Sequence, residues 1–434
     1  MRSLSFILFL LFFSCSRKAV EKSTEDLIPT EIELVRIDSG AFFGPCEPSI
    51  AIDPTNPDYI VAGSILDRVH VSEDGGKTWT NSKLESTFGV YGDPVICADY
   101  NGHFYYAHLS NPNGRPYQDT AFLDRIVIQK STDKGHNWTN GSYTLPRSPK
   151  DQDKHWLAVD PTDNSIYISW TEFDLYGSKD PSHKSRILFS KSTDQGESWT
   201  DPITLSQLEG DCIDGDQTTE GAVPCVGPNG EIYIAWSYDN MIYFDRSFDK
   251  GMTWLENDLI VSDQPGGWTF DIPGISRTNG MPITGVDRSG SKYHGRIYVN
   301  WSDQRNGTDD TDIWLAYSDD HGDNWSKPQR VNDDGPGKHQ FLTWMDIDQS
   351  TGYIYFVFYD RRAHIDNHTD VYLAVSKDGG QNFQNIKLSK NSFEPDAMIF
   401  FGDYNDISVI NSRVRPIWTE LNGARLSIWT ALIN

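Results

Sequence analysis

Basic residues are scarce in this chain: 37 Lys and Arg stand against 62 Asp and Glu, a formal net charge of −25. That shortage excludes a phosphate-binding surface, so nucleic acid is not an expected partner. It equally excludes docking on anionic lipid through a basic patch. Long apolar runs are missing too. The longest covers Leu4 to Phe13, too short to span a bilayer. Cysteine is rare, with five residues in 434. No CxxC pair occurs, so a zinc site has no support. GxSxG, HExxH, GxGxxG and P-loop motifs are absent. Nucleophile-elbow, zincin, dinucleotide and NTPase chemistry therefore lack their usual signatures.

What is present is aromatic and organised. The 14 Trp, 20 Tyr and 21 Phe are too many for a solvated coil. The length is ample for a large core. The N-terminus reads as an export signal: Arg2, then the apolar run, then Ser14-Cys15. A Cys directly after such a run resembles a bacterial lipoprotein signal, which implies lipidation of Cys15. The position three before it is Phe12 rather than the usual Leu. The expected organisation is a signal over 1–14, a polar tether over 15–30 and one domain over 31–434. The membrane is then a partner through the lipid anchor only. The expected location is the bacterial cell envelope, with plain secretion as the alternative. In an exported chain the remaining Cys46, Cys97, Cys212 and Cys225 suggest disulfides, with Cys212–Cys225 the favoured pair.

An internal repeat decides the architecture. The pattern Ser-x-Asp-x-Gly-x-x-Trp begins at Ser72, Ser131, Ser192, Ser247 and Ser318, and returns at Ser376 with Phe383 in place of Trp. Asp and Ser side chains bond backbone N–H groups within a tight turn. Gly supplies a positive φ, and the aromatic residue anchors the turn by packing. Before each turn lies a β-rich run, such as Ile166-Tyr167-Ile168-Ser169-Trp170 or Ile232-Tyr233-Ile234-Ala235-Trp236. Seven such runs precede only six turns, and the seventh unit lacks a last strand. Glu31 to Asp38 alternates well and supplies it. The fold class is all-β: a seven-bladed β-propeller closed by an N-terminal strand, with six blades as the alternative.

The repeated turn is the Asp-box, or BNR repeat, and the chain resembles the sialidase-like superfamily of Asp-box propellers over residues 31–434. Phrases such as EPSIAIDPTNPDYIVAGS from Glu47, WSDQRNG from Trp301, YDRR from Tyr359 and GDYNDI from Gly402 resemble a bacterial sialidase-like group. The resemblance implies that the Asp-boxes lie on the face away from the active site.

Candidate site residues therefore come from the opposite face. The lead-ins to first strands carry Glu47, Asp93, Asp153 with His155, Glu220, Gln340 and Asp403. The ends of second strands carry His108, Glu172 with Asp174, Asp239, Asp303 with Arg305, Asp360 with Arg361 and Arg362, and Glu420. Glycoside hydrolysis usually needs one protonated and one ionised carboxyl group. Asp93, Asp360 and Asp403 are the leading candidates. Sialidases use a Tyr nucleophile, which Tyr404, beside Asp403, or Tyr359 could supply. Arg305, Arg361 and Arg362 could clamp a substrate carboxylate, with Asp303, His108 and His155 beside them. The early Arg of the family pattern is missing; Val35-Arg36-Ile37-Asp38 is a faint echo. Trp156, Trp268 or Trp344 could stack on sugar rings.

No cofactor and no metal ligand set is expected. Two oxygen-rich loops, Asp309-Asp310-Thr311-Asp312 and Asp211 to Asp216, could hold Ca²⁺ but do not match the EF-hand spacing. The expected partner is a carbohydrate. The expected function is a sialidase-like glycoside hydrolase on complex glycans. A glycan- or protein-binding propeller without catalysis is the first alternative. A polysaccharide lyase on uronate-containing glycans is the second.

Overall fold

The computed structural model describes residues 32–41 and 44–434. The signal segment 1–14, Cys15 and the tether 15–30 lie outside the described residues. Every regular element among the described residues is a strand. The strands form seven antiparallel four-stranded sheets, the blades of a propeller. Six blades are continuous in sequence. The seventh takes its outer strand, Glu33–Ala41, from the N-terminal side, pairing Glu33 with Leu432 and Ala41 with Arg425.

The inner strands are Ser49–Ile52, Val95–Ala98, Asp151–Val159, Glu220–Val226, Ile283–Val286, Gln340–Asp348 and Asp406–Ile410. The β-rich runs are the second strands. They are buried on both faces, which is why they read as nearly continuous apolar segments. Trp170, Trp236, Trp301 and Trp418 sit there, almost fully buried. The core is repeated between blades: Tyr233 and Phe244 of blade four pack with Trp301 and Trp314 of blade five.

The six repeated turns join third to fourth strands and share one geometry. The Ser72 hydroxyl donates to Asp74 Oδ1 at 2.9 Å and accepts the Gly76 N–H at 2.9 Å. Asp74 Oδ1 also accepts the Thr78 N–H at 2.9 Å. The same contacts recur around Asp133, Asp194, Asp249, Asp320 and Asp378. The turn glycine has a second duty. It packs against the preceding blade, so a Cβ on Gly322 (φ 95°) would lie 2.4 Å from Phe244 Cε1. Gly322→Ala is therefore expected to cost about 1–3 kcal/mol through overpacking. Gly290→Ala, with nothing within 4 Å, is expected to be nearly neutral. Urea denaturation midpoints of the two variants check the difference.

The expected Cys212–Cys225 bridge is not formed: Cys46, Cys97, Cys212 and Cys225 are all free thiols. Cys212 is buried in the loop before blade four, where its carbonyl accepts the Gly177 N–H. Cys225 lies far along the next inner strand, paired with Tyr233 and facing the central channel. The extended chain between Glu220 and Cys225 carries it roughly 15 Å from the loop.

Candidate functional site

Antiparallel strands place the repeated turns on one face and the links between blades on the other. The register fixes what those links present. Ser49, Val95, Trp156, Val223, Trp344 and Asp406 pair with equivalent second-strand residues Gly63, Ala107, Ser169, Ala235, Val357 and Ile417. Two residues earlier stand Glu47, Asp93, Lys154, Gly221, Leu342 and Tyr404. One further back stand Cys46, Gly92, Asp153, Glu220, Phe341 and Asp403. Glu47, Asp93, Lys154 and Leu342 all hold a positive φ of 49–52°. Non-glycine residues adopt that conformation at a cost, and it recurs at functional sites. Here it turns each chain inward over the channel mouth, and two adjacent register positions supply most of the charge.

These side chains line a cavity of about 420 Å³ whose walls include Glu47, Asp93, Asp153, Lys154, Tyr176 and Arg277. The Lys154 ammonium, 5% exposed, donates to Asp403 Oδ2 at 2.7 Å and Asp93 Oδ2 at 3.4 Å. Arg277 Nε donates to Asp403 Oδ1 at 2.8 Å, and its Nη2 reaches Asp403 Oδ2. Arg277 Nη1 donates to Asp214 Oδ2 at 3.0 Å, where the Tyr176 hydroxyl also donates, at 2.8 Å. Asp403 N–H donates to Glu47 Oε1 at 3.2 Å. Asp403 itself is 1% exposed and lies beneath the cavity wall.

The electrostatics divide the carboxyl groups. Burial pushes Glu47 well above the usual carboxylate range, and Asp93 and Asp403 push it further. Burial and Asp93 raise Asp153 to about 8. Glu220 is raised by burial, with Asp214 and Asp153 adding to it. Burial also works against ionised Asp403, but Arg277 and Lys154 outweigh it and hold that carboxyl far below its usual value. Protonated and ionised carboxyl groups thus share one mouth, the condition for acid and base roles in one site.

Of the sequence candidates, Asp93 and Asp403 meet here through Lys154. Tyr404 lies directly beneath: its hydroxyl donates to Pro94 O at 3.3 Å, and burial raises its pKa well above the phenol value. Trp156 packs on Trp344 and Tyr404, with ring centroids 4.4 and 5.1 Å apart. These rings separate the cavity from the channel and are not exposed as sugar platforms. Trp268 is likewise buried, donating to Asp214. His155 and His108 lie buried behind the site, and burial lowers each to about 4. His108 Nδ1 bonds Leu109 O at 2.8 Å.

Asp360, Arg361, Arg362, Asp303 and Arg305 lie outside this cavity. Asp360 accepts from Arg362 Nε at 2.8 Å within its own blade. Arg305 Nε donates to Asp303 at 3.0 Å and its guanidinium covers the Trp314 ring at 4.7 Å. Arg361 donates to Pro273 O at 2.7 Å and to the Thr369 hydroxyl at 3.0 Å. Arg305 and Arg362 are paired with Asp303 and Asp360 in their own blades, whereas among the described residues Arg361 has no carboxylate partner and its Nη2 is buried without a hydrogen bond.

Neither oxygen-rich loop gathers its carboxylates around a common point. Asp214 bonds Arg277, Tyr176 and Trp268, and Asp310 caps the Gly337 N–H at 2.7 Å. Among the described residues no three His, Cys, Asp or Glu side chains converge as metal ligands.

Lys154, Arg277 and Tyr176 are site residues that sequence reasoning missed, and Asp214 is reached there only as part of an oxygen-rich loop. Lys154 was visible as the residue in register with Glu47 and Asp93. The other three come from links of unequal length, where the repeat gives no register.

The fold defines a seven-bladed β-propeller. No protein-family model matches the chain, and no curated protein matches it. Solved structures do. The chain is similar to a PL25 polysaccharide lyase, an ulvan lyase bound to a GlcA-containing saccharide, at 12% identity and a TM-score of 0.53 over 91% of this chain and 95% of that one. It is similar to a protein of unknown function from Dyadobacter fermentans at 13% identity and a TM-score of 0.50, covering 92% and 99%. It is also similar to the NanB sialidase of Streptococcus pneumoniae at 9% identity and a TM-score of 0.50, covering 86% and 83%. At these identities the likeness is one of fold.

Proposed function

We propose that the chain is a glycoside hydrolase acting on complex glycans in the cavity at the propeller mouth, held at the bacterial cell envelope by lipid on Cys15. The observation that supports it is the pairing of Asp153, kept protonated by burial, with Asp93 on the same cavity wall. Asp153 protonates the departing glycosidic oxygen. Asp93 faces the carbon where positive charge develops, and water takes the place of the leaving sugar. Among the described residues Arg277 is the one arginine in the cavity lining, where a carboxylate clamp of three would be needed. The reading is therefore a carboxyl-pair hydrolase and not a strict sialidase.

Mass spectrometry of products from sialylated, uronate-containing and neutral glycans tests it. Products heavier by one water support the hydrolase. No products from the whole panel would transfer the reading to a glycan-binding propeller. The lyase reading has its own observation: the Tyr176 hydroxyl and the Arg277 guanidinium meet at Asp214. Such a pair could serve proton abstraction beside a neutralised uronate. Unsaturated products, with no water added, would establish it.

The acid role carries a pH signature. Asp153 acts only while protonated, so activity is expected to fall as pH rises through about 8. Asp153→Asn is expected to lower kcat by 10²-fold or more. The pH profile of its residual activity should lack that limb. An unchanged limb in the variant would remove Asp153 from the role.

A further inference from the structure

A second depression, about 500 Å³, lies beside the cavity on the same face. It runs between the link over residues 110–125 of blade two and the link over residues 174–184 of blade three. The two depressions share three walls: Tyr117, Leu123 and Tyr176. They therefore adjoin, and the second is an arm beside the trough that Asp93 and Asp153 line.

The lining of this arm is distinctive. Tyr117 is 74% exposed, an unusual cost for so large a ring, and Leu175 is 47% exposed. Tyr117 adopts a positive φ of 59° and rests edge-on against Phe122, with ring centroids 4.9 Å apart. Its ring is thus held on the trough wall. On the floor, Asp151 accepts the Tyr176 N–H with Oδ2 at 2.7 Å. Among the described residues the arm is lined by no Lys, Arg or His; its only ionisable carboxyl groups are Asp119 and Asp151. An anionic sugar would find no cation in that lining. An uncharged sugar finds an aromatic face and a hydroxyl acceptor, the composition expected of a carbohydrate-binding groove.

We infer that this arm is a second subsite, which binds uncharged sugar units continuing from the one held at Asp93 and Asp153, with Tyr117 as the stacking residue. The inference rests on the hydrolase reading for the placement of the first unit. It makes the substrate an oligosaccharide with a neutral stretch on one side of the cleaved bond.

The test uses gluco-, galacto-, manno-, xylo- and N-acetylglucosamine oligosaccharides, graded from single units to hexasaccharides. Binding is measured by calorimetry on the full chain carrying Asp93→Asn, with and without Tyr117→Ala. Turnover is measured in parallel without Asp93→Asn. The longer members of one series are expected to bind more tightly than its single unit. Tyr117→Ala should remove about tenfold of that gain, the size of one aromatic contact. Leu175→Ser should weaken the same longer members. A chain-length gain untouched by both variants overturns the subsite, as does failure of every neutral series to bind. Binding of long chains without turnover in the parent protein would overturn the hydrolase reading and keep the subsite. Turnover independent of chain length and of Tyr117 would do the reverse.

Discussion

Lys154→Met is expected to destabilise the propeller by about 3 kcal/mol, the lower end for breaking a buried ion pair. The ammonium is 5% exposed and the Asp403 carboxyl 1% exposed. Removing the cation leaves Asp403 with Arg277 alone and Asp93 without its counter-charge from Lys154. The Met side chain replaces the stem but not the two hydrogen bonds. Asp403→Asn alone is also expected to destabilise, because it leaves Lys154 and Arg277 sharing fewer charges. The double variant removes both halves of one pair. It should recover about 1–2 kcal/mol relative to the sum of the single variants, as coupled neighbours do. Additive losses in a urea-denaturation cycle at pH 7 would show that the contact carries no net coupling.

The sign of the pH dependence follows from the same geometry. Asp403 has its folded pKa depressed by Arg277 and Lys154, against the pull of burial. Its contribution is fully present above the unfolded value of about 3.9 and is lost as pH falls through the folded value. Lys154→Met weakens that depression. The variant should therefore lose less stability than the parent between pH 5 and 3 (a range set by that unfolded value). Parallel loss in the two proteins over that range would separate Lys154 from the Asp403 titration.

The sequence displayed the fold because the fold is a repeat. Six copies of one turn and seven copies of one strand left little choice of architecture, and the alternation from Glu31 to Asp38 supplied the missing outer strand. The site was half displayed by the same logic. Glu47, Asp93, Asp153, Glu220 and Asp403 stand at lead-ins to inner strands, and those positions could be read by counting back from the paired residues. Lys154 occupies the same frame, but attention to carboxyl groups passed over the cation between them. The ends of second strands misled for a physical reason. Asp360 with Arg362, and Asp303 with Arg305, are close in sequence and pair within their own blades, so their charge is spent locally. Arg277, Tyr176 and Asp214 belong to long links, and only three-dimensional closure brings them over the mouth.

Asp93→Asn is expected to reduce turnover by about 10²–10⁴-fold, the range for loss of a positioned acid or base group, while leaving the fold intact. Its carboxyl is 16% exposed and its contact with Lys154 is the longer of the two, at 3.4 Å. Asparagine keeps the shape and an acceptor oxygen for that lysine, so denaturation should change little. Asp403→Asn makes the informative contrast. That residue lies beneath the wall and holds Lys154 and Arg277, so its loss should lower stability and turnover together. Asp360→Asn completes the set. Its carboxyl is tied to Arg362 outside the cavity, and turnover should stay within a few-fold of the parent provided the variant folds. Measuring kcat and unfolding midpoints for all three separates the reacting group from its support. A full loss of turnover in a stable Asp360→Asn protein, with Asp93→Asn still active, would move the chemistry to the blade-six loop. The opposite pattern places it where Asp93 and Asp153 share a wall of the open cavity of about 420 Å³.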